Sequence, residues 1–124
     1  MLKKQSDKIL EFLKVTKYAS QAVINDDHRI TIKYHDNPIA TINLNDYTVS
    51  ISNSGWYTST TKKRINQVLK ALNTSMRVYQ HDFRWHISCG LDSYDYYNGI
   101  TFITYDINKI QWLYNFLRLC NESD

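Results

Sequence analysis

The stretch that decides the fold is residues 29–51, RITIKYHDNPIATINLNDYTVSI, in which apolar and polar residues alternate. A period of two is typical of half-buried antiparallel strands. The Asp, Asn and Pro residues at 36–38 and the Asn-Asp pair at 45–46 indicate turns between them. The sequence therefore predicts three consecutive strands, and a short apolar run at 22–24 adds a fourth. Together they form a meander.

Helical patterns flank this meander on both sides. Before it, Ser6 is an N-cap signal for an amphipathic helix that runs to about Tyr18. After it, apolar residues at 65, 68, 69 and 72 follow helical spacing, with Thr60 or Thr61 as the cap. Asp106 caps a last helix.

Residues between the second and last helices predict a second group of strands. We expect strands at 76–79, 84–88 and 100–105, and a polar aromatic loop at 91–98. The order α, β (three or four strands), α, β (three strands), α predicts an α+β fold in which three helices pack on an antiparallel sheet of two meanders. A length of 124 residues fits a single domain over residues 1–124.

The composition excludes several classes of protein. The chain has no apolar run of membrane-spanning length, and its start soon turns polar and charged, so we expect a soluble cytoplasmic protein with no leader segment. Three glycines are too few for a Gly-rich phosphate loop, which argues against a nucleotide enzyme. Cys89 and Cys120 share no C-x-x-C spacing, so we expect free, buried thiols and no metal.

Residues 81–89 hold a cluster of reactive side chains, including His81, Asp82 and His86. In a strand, His86 would share a face with Arg84, while Cys89 would lie on the opposite face. That separation argues against a catalytic or metal site. We expect a protein that binds rather than catalyses, and that needs no cofactor.

Charge is unevenly distributed along the chain, and the amino-acid composition is skewed. Residues 56–86 carry a net charge of +5 and residues 87–124 a net charge of −3, within a total of +3. Amino acids with AT-rich codons, such as Asn and Tyr, are frequent, and those with GC-rich codons are rare. This skew indicates an AT-rich source, such as a low-GC bacterium or its phages and plasmids.

Residues 55–66, GWYTSTTKKRIN, carry a resemblance. They resemble a G-W-x-[ST]-x-T-T-K-x-R-[LI]-N segment of small phage- and plasmid-encoded proteins of low-GC bacteria, a domain family of unknown function. Residues 78–80, 83–85 and 98–102 resemble its V-x-Q, F-x-W and [ND]-G-[MI]-T-F pieces in the same order. The resemblance covers about residues 28–105 and leaves the first and last helices outside it.

Physically, residues 55–66 suit a corner between a strand and a helix. Gly55 supplies a positive φ, Trp56 fills the gap between sheet and helix, and Asn66 completes the motif. The helix amides, hydroxyls and nearby cations would attract an anion such as a phosphate. The candidate anion or nucleic-acid residues are Thr60, Thr61, Lys62, Lys63, Arg64, Lys70, Arg77 and Arg84. The alternative is that the threonines only cap the helix and the cations are solvated.

The second candidate surface is acidic and aromatic. Tyrosines beside aspartates suit a protein interface with a basic partner, although a hairpin loop with half-buried rings explains them equally well. The candidate interface residues are Asp92, Tyr94, Asp95, Tyr96 and Tyr97. Trp112 and Leu119 lie off the apolar stripe of the last helix, which leaves a homodimer as a further alternative.

Small size, the mobile-element resemblance and the lack of a catalytic signature favour an accessory protein that acts by binding. The leading hypothesis is an inhibitor of a host defence complex, of the anti-CRISPR type, that occupies a surface of a Cas effector or another host nucleoprotein. The alternative is direct nucleic-acid binding through the basic start of the second helix, with Trp56, Tyr57 or Tyr79 for stacking.

Overall fold

The computed structural model describes residues 3–26 and 28–123. The elements in chain order are α1 (Lys3–Leu13), β1 (Ser20–Ile24), β2 (Arg29–Tyr34), β3 (Asn37–Asn43), β4 (Thr48–Ile51), α2 (Ser59–Ala71), β5 (Met76–His81), β6 (Arg84–Cys89), β7 (Asp92–Asp95), β8 (Ile100–Ile103) and α3 (Ile107–Ser123). The α+β class and the order α-β-α-β-α are confirmed.

The strands form two antiparallel sheets rather than one. The larger sheet has the order β1-β2-β3-β4-β8, and the smaller has the order β5-β6-β7. β8 leaves the second group of strands and pairs with β4, with Val49 opposite Phe102. The expected loop at 91–98 is also wrong in part, because residues 92–95 form β7. All four β7 residues are exposed, so no apolar alternation marks this strand in the sequence.

Both sheets contribute to one hydrophobic core cluster. Ile42 and Val49 from the larger sheet and Val78 and Ile87 from the smaller are all at most 1% exposed. The opposite face of the larger sheet is polar. Hydroxyl residues lie in register across four of its strands. They are Thr31, Thr41, Ser50 and Thr101.

The first helix differs from the expectation at both ends. It spans Lys3–Leu13, and Lys14, with φ 55°, adopts the left-handed conformation that ends it. Ser6 lies inside the helix, so its expected role as N-cap is wrong. Its buried hydroxyl instead accepts a hydrogen bond from the Ala22 amide of β1 at 2.9 Å, which ties helix to sheet.

The last helix begins as expected. Asp106 Oδ1 accepts a hydrogen bond from the Lys109 amide at 3.1 Å. Trp112 stacks on Phe12 of α1 with ring centroids 3.8 Å apart, so part of the exposed apolar surface expected on α3 contacts α1. Within the described part of the chain, no helix is both long and apolar enough to cross a membrane.

Candidate functional site

The corner before α2 is built around Gly55 and Asn53. Gly55 has φ +85°, as expected, and its amide donates to Asn53 Oδ1 at 2.9 Å. Trp56 does not fill the gap between sheet and helix, because 57% of it is exposed. Trp85 of β6 is the buried tryptophan, with the rings of Tyr57 and Tyr96 each edge-on at 5.2 Å.

The cap of α2 is Thr58 rather than Thr60 or Thr61. Thr58 Oγ1 accepts from the Thr61 amide at 3.2 Å and donates to Thr61 Oγ1 at 2.8 Å. Thr61 is thereby buried, whereas Thr60 is exposed. The helix therefore starts earlier than its apolar stripe indicates, because the capping hydroxyl precedes the stripe.

Arg64 is separated from the other predicted cations. It is 5% exposed and donates to the Tyr18 carbonyl at 2.9 Å and to Ser20 Oγ at 3.0 Å. Its guanidinium also lies 4.3 Å from the centre of the Tyr34 ring. These contacts hold β1 and β2 against α2, so the structure does not bring Arg64 together with the exposed lysines.

The three predicted lysines lie at the surface of α2. Lys63 and Lys70 are exposed, and Lys62 Nζ lies 5.9 Å from the centre of the Trp85 ring. Lys70 and Arg77 line one surface depression of about 360 Å³ between α2 and β5. Lys70 of α2 and Arg77 of the smaller sheet are therefore neighbours at the surface.

The outer face of the smaller sheet brings two arginines together with two rings. The cross-strand pairs place Tyr79 opposite His86, and His81 opposite Arg84. Because side chains alternate along a strand, Arg77 lies on this face too. We call Arg77, Tyr79, Arg84 and His86 the sheet platform.

Within the sheet platform, the Tyr79 side chain lies across the outer face of the smaller sheet. Its ring stacks on His86 with centroids 5.4 Å apart and an interplanar angle of 25°. Its backbone belongs to β5, and its hydroxyl hydrogen-bonds to Ser93 Oγ of β7, so the side chain crosses β6. His86 Nδ1 is 3.6 Å from Asp95 Oδ1 at the far side.

The five predicted interface residues between positions 92 and 97 lie on different faces and differ in exposure. The register places Asp95 on the face of His86, and Asp92 and Tyr94 on the opposite face. Tyr94 and Tyr97 are 54% and 61% exposed. The five residues therefore do not form a single patch.

The Tyr96 hydroxyl is hydrogen-bonded within the fold. It accepts from the Asn53 amide at 2.6 Å and donates to Asn98 Oδ1 at 2.5 Å. Burial raises the pKa of Tyr96 to about 12. The neutral phenol is thus the form that the fold holds at the corner.

The predicted separation of reactive side chains at residues 81–89 is confirmed. Arg84 and His86 lie on the outer face, while Trp85, Ile87 and Cys89 lie on the other. Cys120 is buried, as expected, whereas Cys89 is half-buried, and neither forms a disulfide within the described residues. Over residues 3–26 and 28–123, no group of three or more His, Cys, Asp or Glu side chains is placed to hold a metal ion.

The sequence reasoning missed the sheet platform as a unit, although it named all four residues: Arg77, Arg84 and Tyr79 as nucleic-acid candidates, and His86 in the reactive cluster. The available signal was the alternation in β5 and β6, which places residues 77, 79, 84 and 86 on one face once the two strands are paired. It also missed Asn53, because its role depends on contacts with residues 96 and 98 that are distant in sequence.

Comparison with known proteins points to phages. Neither curated proteins nor solved structures give a significant match to the chain. The family described as Kyanoviridae Gp96 protein, a phage family, matches residues 3–104. This match includes α1, which the motif resemblance left out, and ends before α3. Because it covers most of the chain, the protein belongs to the Kyanoviridae Gp96 protein family.

Proposed function

We propose that this phage accessory protein binds single-stranded nucleic acid, and that the sheet platform is the contact surface. The proposal rests on the position of Tyr79, which lies across this face with Arg77 and Arg84 on the same side. A flat aromatic ring on an open sheet stacks with any base, and arginines beside it neutralise phosphates.

Positive side chains next to the sheet platform support a path for the nucleic-acid backbone. Arg77 shares a surface depression with Lys70 of α2, and Lys63 is exposed on the same helix. On the opposite side of the sheet platform, the negatively charged Asp95 lies beside His86. A polyanion is therefore drawn toward α2 and away from β7.

Fluorescence anisotropy with a labelled oligo-dT of about 16 nucleotides tests the proposal. We expect binding whose affinity falls between about 50 and 200 mM salt, with a log–log slope that shrinks by about 0.7 for each cation removed. The test variant is Arg77→Ala with Arg84→Ala. The matched control is Lys3→Ala with Lys4→Ala, which removes the same charge from exposed positions of α1.

The two variants separate a specific surface from general attraction. The proposal requires the platform variant to lose most of its affinity while the α1 variant retains it. Equal losses in both variants, or no binding at low salt, would overturn it. Circular dichroism of each variant checks that the fold is intact.

The inhibitor hypothesis is a second candidate, favoured by β7. This strand ends the smaller sheet, all four of its residues are exposed, including Tyr94, and Tyr97 just after it is more than half exposed. An exposed sheet edge can accept a strand from a partner protein. A pull-down from host lysate, with and without nuclease, distinguishes the candidates. A nuclease-resistant host defence complex, such as one that contains a Cas effector, would support inhibition.

A further inference from the structure

A recess at the start of α2 is separate from the sheet platform. It has a volume of about 310 Å³, at the lower end of the usual range for small-molecule sites. Three segments form it: the β2–β3 hairpin, the corner, and the first turn of α2. The residues that matter below are Tyr34, Asn53, Trp56, Thr58 and Thr60.

Asn53, one of the residues that line this recess, has an unused hydrogen-bond donor. The residue is fully buried, and its Oδ1 accepts from the Gly55 amide. That bond fixes the orientation of the side-chain amide, and Nδ2 finds no acceptor among the described residues. Buried donors are nearly always satisfied, and one left alone costs free energy. Nδ2 itself has almost no accessible surface, so a carbonyl oxygen of a ligand would satisfy it after a small shift of the corner.

The first turn of α2 favours a negatively charged ligand. The Thr61 and Lys62 amides are bonded to Thr58, whereas the Ser59 and Thr60 amides have no acceptor among the described residues. No acidic residue lies in this first turn, and none lines the recess. Free amides at the positive end of a 13-residue helix suit an oxyanion.

Two aromatic side chains give the recess flat walls. Trp56 is 57% exposed, so it contributes a large apolar surface that the core does not use. The Tyr34 ring is held from one side by the Arg64 guanidinium, 4.3 Å away. Flat, preorganised rings favour a planar ligand.

We propose that this recess binds a nucleoside monophosphate. Its base lies against Trp56 and Tyr34, a base carbonyl accepts from Asn53 Nδ2, and its phosphate accepts from the free amides of α2. The site shares no residue with the sheet platform, so it is a second binding site and does not depend on the proposed function.

Titration with UMP, followed by tryptophan fluorescence and by the amide shifts of Ser59 and Thr60, tests the site. We expect saturable binding, with uridine and inorganic phosphate each weaker by about tenfold or more. AMP, whose base has no carbonyl, should also bind more weakly.

Thr60→Glu is the sharpest variant, because it separates binding from stability. A carboxylate in the first turn stabilises a helix, so the melting temperature should hold or rise. The same charge repels the phosphate, so UMP affinity should fall about tenfold or more. Trp56→Ala should weaken UMP binding too, and its matched control is Tyr105→Ala, an 82% exposed aromatic outside the recess.

Several results would overturn the site. They are the lack of saturation by about 10 mM UMP, phosphate or uridine binding as tightly as UMP, AMP binding as tightly as UMP, and unchanged affinity in Thr60→Glu. The Arg77→Ala and Arg84→Ala variant should bind UMP normally. Failure of the recess and failure of the sheet platform are therefore distinguishable.

Discussion

Asn66 of α2 binds both backbone groups of Val78 in β5. Its Nδ2 donates to the Val78 carbonyl at 2.9 Å, and its Oδ1 accepts from the Val78 amide at 2.7 Å. The side chain thus satisfies the two backbone groups that Val78 directs away from β6, at the edge of the smaller sheet. This contact gives the last residue of the predicted motif a structural role.

We expect Asn66→Ala to destabilise the fold by about 1–3 kcal/mol, because both groups of Val78 lose their partner. Urea unfolding measures the loss, and hydrogen exchange at the Val78 amide should accelerate. Gln67→Ala is the control, since Gln67 makes a similar pair of bonds with exposed Thr16. An equal loss in both variants would contradict the role of Asn66.

Arg64→Lys should destabilise the protein by about 1–2 kcal/mol, since an ammonium cannot reproduce the planar contacts with Tyr18, Ser20 and the Tyr34 ring. Lys63→Ala, at an exposed neighbour, should shift stability by no more than about 0.5 kcal/mol. Thermal or urea unfolding of both variants checks this. A larger effect in Lys63→Ala would show that surface charge, and not the buried contacts, dominates.

Tyr79→Leu should weaken single-strand binding by about 1 kcal/mol or more through loss of stacking, without a change in the salt slope. Tyr79→Phe keeps the ring and loses only the bond to Ser93, so it should bind nearly as well as the unmodified protein. Anisotropy titrations at several salt concentrations measure both quantities. If Phe and Leu weaken binding equally, the ring does not stack on a base.

Tyr96 should make stability sensitive to alkaline pH. Burial raises its pKa from 10.0 to about 12, so its contribution is complete below pH 10 and is lost as the pH rises toward 12. Tyr96→Phe should remove this component and destabilise the protein by about 1–2 kcal/mol at neutral pH, because Asn53 and Asn98 lose a partner.

Tyrosinate absorbance and urea unfolding across this pH range measure both effects. Tyr97→Phe, at a 61% exposed neighbour, is the control. A late-titrating tyrosine that persists in Tyr96→Phe would contradict the assignment.

The sequence predicted best where local periodicity and burial coincide. Alternation located β2 to β4, and the stripe of Ile65, Val68 and Leu69 located α2. The pairing of β8 with β4 was missed because strands so far apart in sequence carry no local sign of their partner.

The candidate sites were predicted only in part, for a similar reason. Arg64 and Lys63 are neighbours in sequence, yet one is buried against a ring and the other is exposed. Charge counting treats them alike, and only the tertiary contacts distinguish them. Tyr96 and Tyr97 differ in the same way.

The pairing of β4 with β8 affects how the chain folds while it is being synthesised. Ser50 and Thr101, which are bonded across these strands, are 51 positions apart. At translation rates of about 5–20 residues per second, β4 emerges from the ribosome about 3–10 s before β8. Throughout that interval its edge is unpaired and open to a strand from another nascent chain. Slower synthesis lengthens this interval, so we expect it to increase the share of domain-swapped or aggregated product.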